Sequence, residues 1–310
     1  MSNEPRSRPK EIDFARLVER YGTEDKARQY LEALRWPDGV VCPRCGKKAT
    51  RIAGKGSWDS SCGYQFTVRV GTVLQDSKLP LWKWFVATLL MCEARKGMSA
   101  NEVRRLTGTS YKTAWFLTHR IREAMSQATD TTSLSGTVEV DETYVGGKRR
   151  FRRHGKRGWD RKGKVMVLGA VQRDGGVRLK VETRGANMGT LSQFIGRNAA
   201  DAQIVYTDDS VLYKDKVVTG NAVHDSVNHS IDEWVRGDVH TNTIEGVWSL
   251  FKRSIVGSYH HLSVKHLDKY LDEVEWRFNN RKNRFLFRDT MKALISSDTL
   301  TYKALKERLA

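Results

Sequence analysis

The chain has 310 residues, with 54 Lys or Arg against 36 Asp or Glu and a net charge of +18. That length exceeds the roughly 250–300 residues at which one core stops growing, so two or three folding units are expected. A hydrophobic content of 39% excludes a collagen-like or wholly disordered chain, and four cysteines do not make a disulfide scaffold.

No apolar run approaches the about 18–20 residues of a membrane span, and the start, MSNEPRSRPKEIDF, lacks the apolar stretch of a secretion signal. A cytoplasmic protein with no membrane partner is expected. The excess positive charge calls for a polyanion, nucleic acid first.

Residues 1–35 read as an N-terminal helical segment, with Phe14, Leu17, Val18 and Tyr21 at helical spacing. Residues 36–78 are rich in turn formers and hold Cys42-Pro-Arg-Cys45-Gly46 and Cys62-Gly63. A Cys-x-x-Cys pair supplies two thiolates to one tetrahedral Zn²⁺, and a ribbon needs a second such pair. Asp59 occupies the position three before Cys62, while Ser60 also marks a place where a thiol could have been lost. Three outcomes fit: zinc held by Cys42, Cys45, Cys62 and Asp59, a weakened site, or a ribbon that folds without metal. Cys92, inside an apolar helix, reads as core.

Residues 79–130 read as helical. Leu81 to Lys96 is apolar and stops at Gly97. Ser99-Ala-Asn-Glu102 fits a capping box that starts a short helix with Val103 and Leu106 inward. Thr107-Gly108-Thr109 is a tight turn, and Ser110 opens a helix along Ala114, Leu117, Ile121 and Met125. This is the outline of a helix-turn-helix, which would point Ser110, Tyr111, Lys112 and Thr113 at base edges of double-stranded DNA; an ordinary helical hairpin has the same outline.

From Gly136 the pattern turns to mixed α/β: a strand over Thr137–Asp141, a hairpin of 164–170 and 177–182, a helix near 190–200, a strand over Gln203–Thr207, then helices near 243–256 and 264–280. Asp141 and Asp208 end strands, and Glu245 lies near a helix start. Converging carboxylates of this kind can bind two Mg²⁺ (or Mn²⁺) ions for phosphodiester chemistry. Each also suits a humbler duty, a turn for the aspartates and a capping box over Asn242-Thr-Ile-Glu245 for the glutamate. Lys252 follows Glu245 by two helical turns beside the apolar stripe Ile244, Val247, Trp248, Phe251, Ile255, and suits a phosphate contact or plain exposure. Between Lys148 and Lys164 lie ten basic residues and one acid, so Lys148, Arg149, Arg150, Arg152, Arg153, Lys156 and Arg157 are candidates for gripping a DNA backbone.

Taken in order, these residues resemble bacterial insertion-sequence transposases of the ISXO type. The resemblance rests on Cys42-Pro-Arg-Cys45, Cys62-Gly-Tyr-Gln-Phe66, Ser110-Tyr-Lys-Thr-Ala-Trp115, Val140-Asp-Glu-Thr-Tyr-Val-Gly-Gly147, Tyr206-Thr-Asp208, His240-Thr-Asn-Thr-Ile-Glu245, Phe251-Lys-Arg253 and Arg277-Phe-Asn-Asn-Arg281. It implies a zinc ribbon joined to an RNase H-like mixed sheet with flanking helices over residues 136–290, with 291–310 as a helical tail. Asp141, Asp208 and Glu245 would be the DDE triad, with Lys252 the associated base and Asp209 competing for the second position. The activity implied is Mg²⁺-dependent cleavage and strand transfer at terminal repeats, by a homo-oligomer assembled on DNA near the bacterial nucleoid. A DNA-binding regulator without catalysis and a metal-dependent nuclease are the alternatives. Asp59 departs from the family pattern.

Overall fold

A computed structural model describes residues 12–146, 164–183, 187–208, 222–227, 235–260 and 262–307. The chain forms two compact units, one of residues 1–129 with 280–310 and one of residues 130–279.

The first unit opens with helices α1 (Phe14–Tyr21) and α2 (Glu24–Arg35), capped by Asp13 and Thr23. Only part of the α1 stripe is inward: Leu17 is buried, whereas Phe14 and Val18 are exposed. Strands β1 (Ala49–Arg51), β2 (Trp58–Ser60) and β3 (Gln65–Phe66) make a small antiparallel sheet. Helix α3 (Leu81–Glu93) follows Pro80, which brings no capping side chain; Glu24 supplies the cap instead, accepting the Leu81 amide at 2.6 Å.

Helix α4 (Ala100–Thr107) starts on the expected capping box, and Gly108 ends it with φ +60°. Ser110 then caps the long helix α5 (Tyr111–Ala128). Leu106, expected inward, is 59% exposed. Val103 and Thr107 share the inward face at four-residue spacing, which leaves Leu106 beside the exposed Arg104 and Arg105.

The last two helices of the chain, α9 (Leu286–Ser296) and α10 (Tyr302–Glu307), belong to this unit. Helix α9 buries Phe287, Met291 and Leu294, its Phe287 ring lies 6.0 Å from Phe85 of α3, and Thr290 meets the buried Cys92 at 3.3 Å. The unit therefore closes with residues the sequence places in the α/β domain and its tail.

The second unit is a five-stranded mixed sheet in the order β6-β5-β4-β7-β8. Its strands are β4 (Ser135–Gly146), β5 (Lys164–Gln172), β6 (Val177–Glu182), β7 (Asp201–Asp208) and β8 (Val223–Val227). The first three are antiparallel, and β7 and β8 run parallel to β4. Helix α6 (Met188–Asn198) packs Leu191, Phe194 and Ile195 on one face, against Val138, Val140 and Leu168. Helices α7 (Asn242–Ser254) and α8 (Leu267–Asn279) cover the other face, with Ile244, Val247, Trp248, Phe251 and Leu271 against Val167 and Val171. This is the mixed sheet with flanking helices that the sequence leads one to expect. Strand β4 extends beyond the expected Thr137–Asp141 because its polar residues Glu142 and Thr143 still pair with Leu168 and Val167 of β5.

Candidate functional site

The alternation along β4 decides the chemistry of the second unit. Val138 and Val140 enter the α6 core, so Glu139 and Asp141 face α7. The β4–β7 ladder pairs Glu139 with Tyr206, and two residues further along each strand lie Asp141 and Asp208. Neighbouring strands lie about 4.8 Å apart, and alternation from the Glu139–Tyr206 pair turns both carboxylates to one face. Desolvation, then the charge of Glu142 and that of Asp208, push the Asp141 carboxyl up to about 7.

Trp248 of α7 donates its indole N–H to Asp141 Oδ2 at 2.9 Å, leaving Oδ1 free of that bond. Space for this indole comes from Gly169, which pairs with Asp141 across β5: a Cβ there would lie 2.5 and 2.6 Å from Trp248 ring carbons. Glycine is needed here for close approach.

Glu139 fixes the helix that carries the third acid. Helix α7 has no side-chain cap of its own. The fully buried Glu139 supplies one from the strand, accepting the Thr243 and Ile244 amides at 2.8 and 3.0 Å and the Thr243 hydroxyl at 2.9 Å. It also pairs with Arg173 at 2.8 Å and meets His240 Nδ1 at 3.3 Å; Arg173 in turn donates to the His240 carbonyl and lies over the Tyr206 ring. Glu245 is thereby released from the capping-box duty its spacing allows. It is exposed in the first turn and accepts from Thr241 Oγ1 at 3.2 Å. Lys252 is exposed farther along the same helix. On β8, His224 Nε2 meets Thr207 Oγ1 at 2.9 Å beside Asp208, and burial holds its imidazole below the usual range.

Hard carboxylate oxygens suit Mg²⁺, and Asp141 and Asp208 already stand close enough to repel one another. The oxygens of Asp141, Asp208 and Glu245 do not all fall within 4.8 Å; among the described residues the one such group is Cys42, Cys45 and Cys62. Asp209 and the basic residues Lys148, Arg149, Arg150, Arg152, Arg153, Lys156 and Arg157 lie outside the described residues.

In the first unit, Cys42 and Cys62 place their sulfurs 3.8 Å apart. A tetrahedron with Zn–S bonds of about 2.3 Å has edges of about 3.8 Å, so the pair fits zinc. The Arg44 amide points at Cys42 Sγ at 3.4 Å. Desolvation opposes the Cys42 thiolate, but hydrogen bonds from Ser60 and from the Arg44 and Cys45 amides outweigh it and bring the thiol down to about 6. Asp59 does not join the group. It pairs with Thr50 and Gln65 in mid-strand, and alternation sets it on the face opposite Ser60.

The first turn of α5 is open to solvent, with Tyr111, Lys112 and Thr113 exposed and Ser110 accepting the Thr113 amide at 3.2 Å. Lys112 Nζ lies 4.8 Å from the centre of the Tyr302 ring. Sequence reasoning missed Glu139, Gly169, Arg173 and Trp248 as site residues. One signal was available: an acid alternating with Asp141 on a face that an apolar helix stripe must cover.

Residues 133–279 match the ISXO2-like transposase domain, and residues 22–65 match the transposase zinc-ribbon domain. A protein of the transposable element ISH50 from Halobacterium salinarum is 27% identical over 278 residues, covering 84% of this chain and 92% of its own length. Similar solved structures include the Mos1 strand transfer complex, 14% identical over 70% of this chain and 78% of that one with a TM-score of 0.29. The Mos1 mariner paired end complex with Mn is 14% identical over 64% and 71%, also at 0.29.

Proposed function

Because residues 133–279 match the ISXO2-like transposase domain and follow a match to the transposase zinc-ribbon domain, we propose that the chain cuts DNA at the terminal repeats of an insertion sequence and joins the freed ends to a target. The observation that carries this reading is that Asp141 and Asp208 each lie two residues beyond the paired Glu139 and Tyr206 on adjacent strands, where the charge of Asp208 raises the Asp141 carboxyl, on the face that α7 covers with Glu245 in its first turn.

Asp141, Asp208 and Glu245 would hold two Mg²⁺ or Mn²⁺ ions, which would activate the attacking oxygen and stabilise the leaving one. Trp248 orients the Asp141 carboxylate by donating to its Oδ2. Water attacks the phosphodiester at the element's end, the P–O3′ bond breaks, and the strand leaves with a 3′-hydroxyl. That hydroxyl then attacks a phosphorus of the target and expels a target 3′-oxygen, so bonds formed and broken balance. Lys252 contacts phosphate, the α5 first turn from Ser110 to Thr113 reads the repeat, and the basic segment from Lys148 to Arg157 grips the backbone. Two ends must meet, which calls for a homo-oligomer on DNA in the bacterial cytoplasm.

Cleavage of labelled DNA from the element's own flanks, in Mg²⁺, tests the assignment of the second acid. Asp208→Ala is expected to abolish nicking and Asp209→Ala to retain it; the reverse pattern moves the site to Asp209.

A further inference from the structure

The ribbon closes with three cysteines, and the fourth corner of its metal site is open to assignment. The first knuckle runs Cys42-Pro-Arg-Cys45-Gly46, with the Gly46 amide donating to the Cys42 carbonyl at 2.9 Å and Gly46 at φ +70°. The second runs Ser60-Ser-Cys62-Gly63, with the Gly63 amide donating to the Ser60 carbonyl at 2.8 Å and Gly63 at φ +71°. The two turns are built alike, the second being one residue shorter. Ser60 therefore stands where Cys42 stands in the first.

Side-chain placement agrees. Ser60 is buried, and its Oγ lies 3.2 Å from Cys45 Sγ. With bonds of about 2.3 Å to sulfur and about 2.0–2.1 Å to oxygen, a tetrahedral sulfur–oxygen edge is about 3.5 Å, a few tenths longer. Counting three residues back from Cys62, as a full-length knuckle would require, lands on Asp59, but the shortened turn moves the corner one residue on and to the other face of β2.

We propose that Ser60 occupies the fourth corner of the ribbon's metal site, so that zinc is held by Cys42, Cys45 and Cys62 with one oxygen at Ser60. This rests on the zinc-binding reading of the ribbon. It makes the ion more exchangeable than one held by four thiolates, because a neutral hydroxyl replaces an anionic sulfur.

Co²⁺ added to the full chain reads the donor set directly, through thiolate-to-metal charge transfer and tetrahedral d–d bands. Wild type is expected to show three-sulfur intensity. Ser60→Cys is expected to rise to four sulfurs and to hold Zn²⁺ more tightly against a chelator by on the order of 10–100-fold or more, the range that loss of an outer partner alone produces. Asp59→Asn is expected to match wild type, and Ser60→Ala to keep three sulfurs. A spectrum altered by Asp59→Asn and unmoved by Ser60→Ala would give the corner to Asp59 and overturn the assignment, as would a Ser60→Cys protein with no fourth sulfur. Wild type and Ser60→Cys both silent toward Co²⁺ would overturn the zinc reading itself.

Discussion

Removing the Glu139 carboxylate should undo the attachment of α7 to the sheet. Glu139 is fully buried and accepts two helix amides, one hydroxyl and the Arg173 guanidinium, all within 3.0 Å. In Glu139→Ala the amides lose their cap, which typically costs about 1 kcal/mol. Arg173 loses its counter-ion, and breaking a buried pair costs about 3–5 kcal/mol. These losses share one carboxylate and do not add, and the Arg173 side chain keeps 23% of its exposure. About 3 kcal/mol is therefore expected, a large share of the about 5–15 kcal/mol that holds a domain together. For a unit of this size that lowers Tm by roughly 6–12 °C. Glu139→Gln keeps an acceptor and should fall between. Thermal unfolding gives the magnitude, and hydrogen exchange across residues 240–255 locates it. A Tm change under about 2 °C with unaltered exchange there would refute the anchoring role.

Two further substitutions probe the same sheet. Gly169→Ala puts a Cβ 2.5 Å from the Trp248 ring and 3.0 Å from Ile244 Cδ1, and should destabilise by about 1–3 kcal/mol while dislodging the indole from Asp141; an unchanged melting curve would contradict this. Glu275, on the buried face of α8, has its carboxyl raised from 4.5 to about 7 by burial, against the pull of the Leu179 amide and Arg178. A raised acid stabilises the fold only while protonated, so stability is lost as pH climbs from 4.5 to about 7. Glu275→Gln stays neutral and should be more stable than wild type at pH 8 by up to about 3 kcal/mol, with no gain near pH 4. Urea denaturation at the two pH values checks the sign, and equal stabilities at pH 8 would contradict it.

What could be read from the sequence followed from local rules. Alternation in Val138-Glu-Val-Asp141 put both acids on one face, and the stripe from Ile244 to Phe251 marked the helix that covers them. The capping box at Ser99 and the turn at Gly108 carried their own signals. Glu139's duty was hidden because its amide donors lie 104 and 105 residues away, and nothing near it in sequence says which helix lacks a cap. Leu106 misled because a leucine at i+3 of a short helix looks inward until the neighbouring helices choose Val103 and Thr107. Ser60 was ambiguous against Asp59 because spacing assumes a turn of fixed length, and only the backbone shows that this one is shorter. Helix α9 looked like a tail because its partner Phe85 lies some two hundred residues earlier in the chain.

The central claim is that Asp141 stands at the centre of phosphodiester chemistry. Labelled DNA carrying the element's ends, incubated in Mg²⁺ with wild type and with Asp141→Asn, tests it most directly. Asparagine keeps an oxygen for the Trp248 N–H, so the fold should survive and binding to the DNA should match wild type. Wild type is predicted to give 3′-hydroxyl ends joined into a second DNA, and Asp141→Asn to give neither nicks nor joints. Joined products from Asp141→Asn at the wild-type rate, or binding without any nick by the wild type, would contradict the account.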